Sequence, residues 1–497
     1  MDFFTGTHYI QIHSHEEEKM NVLRGWVLPF LILSGIFIAL PAVAEDNDSA
    51  ADPPEAEQQS LQFDFGLAAG IGVQTFPNPD YDGENGPATF TYQSLRLSPD
   101  ISIGKLGVGL DLTLNYTFTG DHNTSDGFTV RQEDWVPDAD EGRGVLSLYL
   151  PKIRYIRWGT VGDPLYASLG TINGASLGNG FILGNYSNAI FFPERRFFGL
   201  QVNADGSLLD FPVLGIQTFA ANLARMDLFG ARVYARPLVY TDIPLLTSAQ
   251  VGFTAVLDRD PYFIARTTPG SEYFGDDPLI EPDDDALAVV WGMDIRQPLV
   301  SNPVLDLAVF ADAVAQDQAV GAMLGTGGRL FSFLPFNAQL RFMGDGFQPV
   351  YFNRTYDLYR VDRYLVYSGE VDRPGYIGWL ANTGVSLLDG GVVFTAGMSG
   401  PFRPDSDKGL LPELEAALTI ADGILPGLSA HAFYQKEQIG SFEDIVDPVN
   451  AVIGARINYH TGPAVITLLY DLRYDPYSSS SSPWQVNSGL ETTLSLF

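Results

Sequence analysis

Residues 106–118 read Leu106-Gly107-Val108-Gly109-Leu110-Asp111-Leu112-Thr113-Leu114-Asn115-Tyr116-Thr117-Phe118, an alternation without a miss. Side chains of a strand point to opposite faces in turn, so this segment has one oily face and one small or polar face. A water-soluble sheet with its apolar face on a core shows the same pattern. What decides between the two is the rest of the chain.

The first 44 residues read as a processing signal. Val27 to Leu40 is an almost unbroken apolar run preceded by Arg24, and Ala42-Val43-Ala44 is a small-x-small cleavage site before Glu45. Met20 stands where such a signal starts, which leaves 1–19 as an upstream extension. No other stretch approaches the ~18–20 apolar residues of a spanning helix. The chain has no cysteine, which excludes a lipid-modified cysteine, a disulfide frame and a thiolate metal site. Removing 1–44 takes away four acids and two bases and leaves a net charge of −30. That charge repels phosphates and excludes a nucleic-acid partner. It also favours cations near any opening.

Residues 45–60 form a short acidic leader without periodicity. From 61 to 497 the period-2 pattern recurs. Leu287, Val289, Trp291, Met293 and Ile295 oppose Gly292, Asp294 and Arg296. Ala451, Ile453, Ala455, Ile457 and Tyr459 oppose Gly454, Arg456, Asn458 and His460. Ile466, Leu468, Tyr470, Leu472 and Tyr474 oppose Thr467, Asp471 and Arg473. Charge on the minority face is the mark of a lipid-facing exterior around a watery lumen. Tight turns at Asp389-Gly390-Gly391, Asp422-Gly423 and Thr461-Gly462-Pro463 alternate with long polar stretches at 400–412, 439–449 and 475–485. The alternation places the acidic loops 77–87, 121–143 and 258–285 at the end opposite the tight turns. The reading is all-β, a single transmembrane antiparallel barrel of 16–20 strands, with weak pieces near 196–204 and 317–325. A barrel of that size is expected to hold an aqueous channel.

The signal segment, the alternating strands and the terminal Phe497 resemble the general porin-type outer-membrane barrels of diderm bacteria. Leu490, Leu494 and Leu496 run out of phase with that terminal aromatic, a departure from the usual last strand. The resemblance covers about 60–497. It implies a location in the cell outer membrane, contact with outer-membrane lipids, handling by the barrel-assembly machinery and passage of small polar solutes. It admits a homotrimer without requiring one. The first functional expectation is a channel for passive or selective diffusion, with no cofactor and no metal. The alternative is a plugged barrel acting as a hydrophobic-substrate transporter or surface-binding protein, and a barrel enzyme comes third.

By parity the lumen is lined by Asp111, Arg232, Arg236, Asp294, Arg296, Asp306, Asp312, Arg341, Glu413, Glu415, Arg456, Asp471 and Arg473, with Glu491 beside them. The mature chain has 22 Arg to 4 Lys, and planar, always-charged guanidinium groups suit ordered charge networks. Two roles are open to them, bracing the wall and selecting the solute. Residues 173–198 and 344–376 are rich in aromatic and Arg residues. Folded inward, they form a constriction through Arg195, Arg196, Tyr351, Arg354, Tyr359, Arg360 and Arg363; folded outward, they pack on the rim. Asp80, Asp82 and Glu84, and the denser acids at 276–285, read as solvated loop charge. Ser429 and His431 share one strand face but lack an orienting carboxylate, so no catalysis is expected. Trp158, Trp291, Trp379 and Trp484 near strand ends suit interfacial girdles.

Overall fold

A computed structural model describes residues 63–77, 89–118, 128–138, 144–192, 195–243, 245–267, 285–474 and 484–495. The signal segment 1–44, the leader 45–60, the acids at 80–84 and 276–284, His122 and Phe497 lie outside the described residues.

The alternating stretches become antiparallel strands, each hydrogen-bonded to its neighbours in sequence. The last strand, Trp484–Ser495, returns to the first, Phe63–Pro77, with Ala68 opposite Ser495 and Gln74 opposite Gly489. That pairing closes the sheet and removes both edges. The strand read from 106–118 is interrupted at Asp111 into Leu106–Leu110 and Leu112–Thr117, both paired to Thr89–Ile103. Counted once, and with Thr129–Val130 taken together with Ile153–Trp158, it gives a wall of 20 strands, the upper end of the expected range. The weak pieces are real strands, Gly199–Asp205 and Ala319–Leu330.

Parity holds as read. Along 106–116, Gly107, Gly109, Asp111, Thr113 and Asn115 are buried inside, and the intervening apolar residues stay partly exposed outside. Elsewhere on the outer face Met293, Val320, Leu324 and Leu468 are about half exposed or more. In a membrane that surface contacts acyl chains, where an apolar belt is required. Trp158 and Trp291 are exposed on it near strand ends.

Tight connections lie at 103–106, 301–305, 330–334, 387–392, 425–428 and 461–464, all at the end that holds both termini of the wall. Leu388, Asp389 and Gly390 take positive φ in the turn read from the sequence. Asp422-Gly423 is not a turn. The register shifts between Ile420 and Leu425, and the chain reverses only at Pro426-Gly427. The positive φ of Gly423 serves a bulge, which the Asp-Gly pair supports as readily as a turn. Long connections, including 117–153, 170–199, 258–288 and 343–376, lie at the opposite end.

The lumen differs from the expected open channel. A continuous apolar core sits inside the wall, built from Leu183, Tyr186, Phe347, Tyr351, Phe352 and Tyr356 on the two long connections. They pack against inward residues such as Leu228, Val256, Val290 and Met323 near one end of the strands. The segment Ser441–Val449 groups separately from the barrel and carries a single-turn helix, Glu443–Val446, where Asp444 accepts from the Ser441 N–H at 2.7 Å.

Two predictions follow from parity and topology. Leu468→Arg places a charge in hydrocarbon and costs ~2–4 kcal/mol near the midplane, whereas Thr467→Arg faces the lumen and keeps the fold. Heat-modifiability on gels reads the folded fraction, and equal loss from both variants would overturn the parity. A cysteine at Gly409, beyond the long-loop ends of its strands, labels on intact cells with an impermeant reagent. A cysteine at Gly390 does not; reversed labelling would invert the topology.

Candidate functional site: the lumen wall and its two inward segments

Both long connections turn into the barrel instead of packing on the rim. The first is pinned at its root by Asn188. The side-chain carbonyl of Asn188 accepts from the Ile172 N–H at 2.8 Å, and its amide donates to the Ala221 carbonyl at 2.9 Å. Its tip reaches the middle of the wall. The Gly178 N–H donates to Gln217 at 3.2 Å, and Asn179 donates to Asp312 at 3.3 Å. Gly178 has φ +59, and a Cβ there would lie 3.0 Å from Nε of Arg232, so the approach requires glycine.

The second segment joins the first along a short parallel bridge between Leu183 and Phe352. The Val350 N–H donates to Phe181 at 3.0 Å, the Phe352 N–H to Ile182 at 3.1 Å and the Gly184 N–H to Phe352 at 3.0 Å. It continues into a helix, Arg360–Ser368, which Gly369 ends in the left-handed conformation. The helix is seated by one cation. Arg360 donates through Nε to Asp258 at 2.6 Å and through Nη2 to Asp227 at 2.9 Å, and its Nη1 lies 3.5 Å from Asp357. Tyr356 donates to Asp258, and Tyr186 of the first segment donates to Asp357 at 2.7 Å. Asp227 and Asp258 stand on the wall, so this node ties the wall to both segments.

Most of the wall charges read from the sequence brace each other. Arg232 holds Asp294 through two bonds of 2.8 and 2.5 Å, with both side chains 4% exposed. Arg236 holds Asp205 at 2.5 Å. Asp111 accepts from Arg96 at 2.6 Å and from Arg196 at 2.8 Å, and Arg96 also holds Glu491 at 2.6 Å. Arg341 donates to Gln339 at 3.0 Å and to Ser399 at 3.4 Å, and Ser399 donates to Glu413. Arg473 donates to the Ile190 carbonyl at 2.7 Å and sits under the Phe191 ring. Arg296 lies over Phe310 and 3.5 Å from Asn179. Asp306 is exposed near the tight-turn end. Arg456 and His431 are exposed on the inward face, and Asp471 lies opposite Asn487 and Gly454.

The seven constriction residues separate by role. Arg195 donates to Thr267, on the connection after Gln250–Asp258, at 2.6 Å. Arg196 pairs with Asp111 on the wall. Tyr351 is wholly buried, Tyr359 precedes the helix, and Arg363 donates to the Tyr351 carbonyl at 3.0 Å, so these three build the segment. Arg360 is its anchor. Arg354 is half-buried, over the Phe433 ring of the wall and 3.2 Å from Asn185 of the first segment. Burial draws its guanidinium below the ordinary value, and the Glu415 carboxylate opposes that shift.

Asp227, Asp258 and Asp357 are not singled out by the sequence, whereas Tyr186 falls among the aromatic residues of 173–198 expected to turn inward. Asp258 falls on the inward parity of Gln250–Asp258, which was the available signal, but it also opens the acidic stretch 258–285. Burial raises the carboxyl of Asp357 to about 6 against the opposing pull of Arg360. Burial likewise raises Glu437, which accepts from Thr355 at 3.2 Å, to about 7. Ser429 meets His460, not His431, at 3.2 Å, and Asp422 lies 3.4 Å from the same ring nitrogen. A nucleophile–base–carboxylate relay uses both ring nitrogens, which this arrangement does not.

The described residues form a closed antiparallel β-barrel, largely apolar outside and charged inside. No family model matches the sequence, and no curated protein matches it. Among solved structures it is similar to OpdK of Pseudomonas aeruginosa crystallised with vanillate, at 10% identity over 87% of this chain and 98% of that one, TM-score 0.30. It is also similar to Wzi of Escherichia coli, a carbohydrate-binding barrel involved in group 1 capsule assembly, at 11% identity over 86% and 84%, TM-score 0.30. OprB of Pseudomonas putida matches at 10% identity over 87% and 94%, TM-score 0.27. Superposition this loose carries no argument, and the fold rests on the wall itself.

Asp111 is the shared acceptor of two arginines. Asp111→Ala leaves Arg196 without its wall partner and is expected to cost about 3 kcal/mol. The loss is read as a lower midpoint in urea unfolding of the reconstituted barrel. An unchanged midpoint would show that the network does not brace the wall.

Proposed function

We propose that the protein is an outer-membrane channel for small polar solutes, whose path is narrowed by the two inward segments. The observation that supports this most is the contrast across the wall. Among the described residues, charged side chains line the interior, while the exterior is predominantly apolar. Arg354, His431, Arg456 and Glu415 lie on inward strand faces or on the second segment beside them, and they form the polar surface a solute would meet. The reading is of transport, not catalysis. Handling by the barrel-assembly machinery and association into trimers belong to the same proposal and are open to direct test by assembly assays and sizing.

The packed core favours one component of the alternative reading, a plug. A plugged carrier for hydrophobic substrates would need an apolar path, whereas the inward faces beside Arg354 are charged. Purified protein in planar bilayers is expected to give discrete conductance steps. At about 0.1 M salt, where the Debye length is ~10 Å, the acidic chain yields a mild cation preference; it fades near 1 M, where that length is ~3 Å. Arg354→Ala increases the cation preference. A silent protein sinks the channel reading, and an unchanged reversal potential in Arg354→Ala removes that residue from the path.

A further inference from the structure

One guanidinium faces three carboxylates in the node that seats the second segment. Arg360, Asp227, Asp258 and Asp357 are 2%, 6%, 0% and 3% exposed. If all three acids ionise, the buried node carries two uncompensated negative charges, a state that low-dielectric surroundings disfavour. The donors present do not relieve it. Arg360 serves Asp258 and Asp227, Tyr356 serves Asp258, and Tyr186 serves Asp357. Among the described residues, Oδ1 of Asp227 is buried with no hydrogen-bond partner. The adjoining charges, Asp260 with Arg225 and Arg266 at 3.4 Å, are more exposed, and Asp260 is coupled electrostatically to Arg360 and Asp258. A protonated carboxyl at Asp357, the acid farthest from the guanidinium, removes one charge from the node.

Beside the node, the segment is held by the aromatic core it shares with the wall and by a few polar bonds. Gln348 and Gln316 exchange bonds of 2.6 and 2.9 Å, Tyr367 meets the Val289 backbone, and Thr355 meets Glu437. The segment's two roots lie side by side, with the Gly346 N–H 2.7 Å from the Arg373 carbonyl and the Gly375 N–H 2.7 Å from Asp345. A unit with adjacent roots, whose apolar seat encloses one overcharged node, can shift from that seat without disturbing the strands.

We infer that residues 345–373 form a proton-sensitive plug, seated in the barrel while Asp357 is protonated and released from it when Asp357 ionises. The sign follows from linkage. Burial raises Asp357 from its ordinary value near 4 to about 6 in the seated state, so the seated state holds the proton more tightly. Seating is therefore strongest below about 4 and is lost as pH rises through about 6. Glu437, raised to about 7 by burial with Arg363, Glu413 and Arg373 around it, acts in the same direction. The inference is compatible with the channel reading, and its test does not depend on solute passage.

The chain has no cysteine, so two can be placed without background. Spin labels at Ser368→Cys, on the exposed end of the helix, and at Val304→Cys, on a tight turn of the wall, report their separation by pulsed electron resonance in reconstituted protein. At pH 4.5 one narrow distance is expected. At pH 8 a second, displaced population at least threefold larger than at pH 4.5 appears. Asp357→Asn, which mimics the protonated carboxyl, combined with Glu437→Gln, keeps the narrow distance at both pH values. Heat-modifiability confirms the folded barrel in each sample. The same distribution at pH 4.5 and pH 8, or an equal pH response in the double variant, would overturn the latch. A pH-driven displacement in a protein that conducts nothing would instead overturn the channel reading and leave the latch standing.

Discussion

Closure of the hydrogen-bond ladder is the constraint on which the rest depends. In hydrocarbon a free backbone N–H or C=O has no water to turn to, so a sheet can cross a membrane only when its last strand pairs with its first. Here that pair is Trp484–Ser495 with Phe63–Pro77. Once the ring is closed, strand geometry leaves each residue one of two places, bilayer or lumen. Asp111 and Leu112 are adjacent in the chain, yet one accepts from two arginines and the other faces lipid.

Twenty strands enclose more space than wall side chains fill, and the protein uses the surplus to house two segments of its own. Their packing is driven by aromatic burial, and their position is set by polar bonds to the wall. Tyr186, Tyr351, Phe352 and Tyr356 supply the first, and Asn188, Asn179 and Arg360 supply the second. The interior is thus part packed core and part accessible polar surface. Bracing pairs such as Arg232–Asp294 lie under the inserted segments, while Arg456 and His431 remain accessible.

The wall was legible in the sequence because its signal is local. Period-2 alternation over ten residues marks the strand and its two faces, while which face turns outward in 106–118 took the rest of the chain to decide. The Asp-Gly pair at 422–423 shows the limit of local reading, since the same dipeptide serves turns and bulges. The lumen was less legible. That 173–198 and 344–376 could turn inward was visible in their length and composition, but the direction depends on partners far away in sequence. Asp227 and Asp258 await Arg360 more than a hundred residues later, and no periodicity links them. Arginines read as one constriction set therefore divide into an anchor, Arg360, backbone supports, a wall brace, Arg196 with Asp111, and Arg354 over Phe433.

The central claim is that the second segment occupies the path through the barrel. Because its roots are adjacent, residues 347–372 can be replaced by a short Gly-Ser link without stretching the strands. Single-channel conductance of this variant, set beside that of the intact protein in the same bilayer and salt, tests the claim most directly. A severalfold rise in conductance, with the barrel still heat-modifiable, is the predicted result. Equal conductance from the two folded proteins would contradict the account.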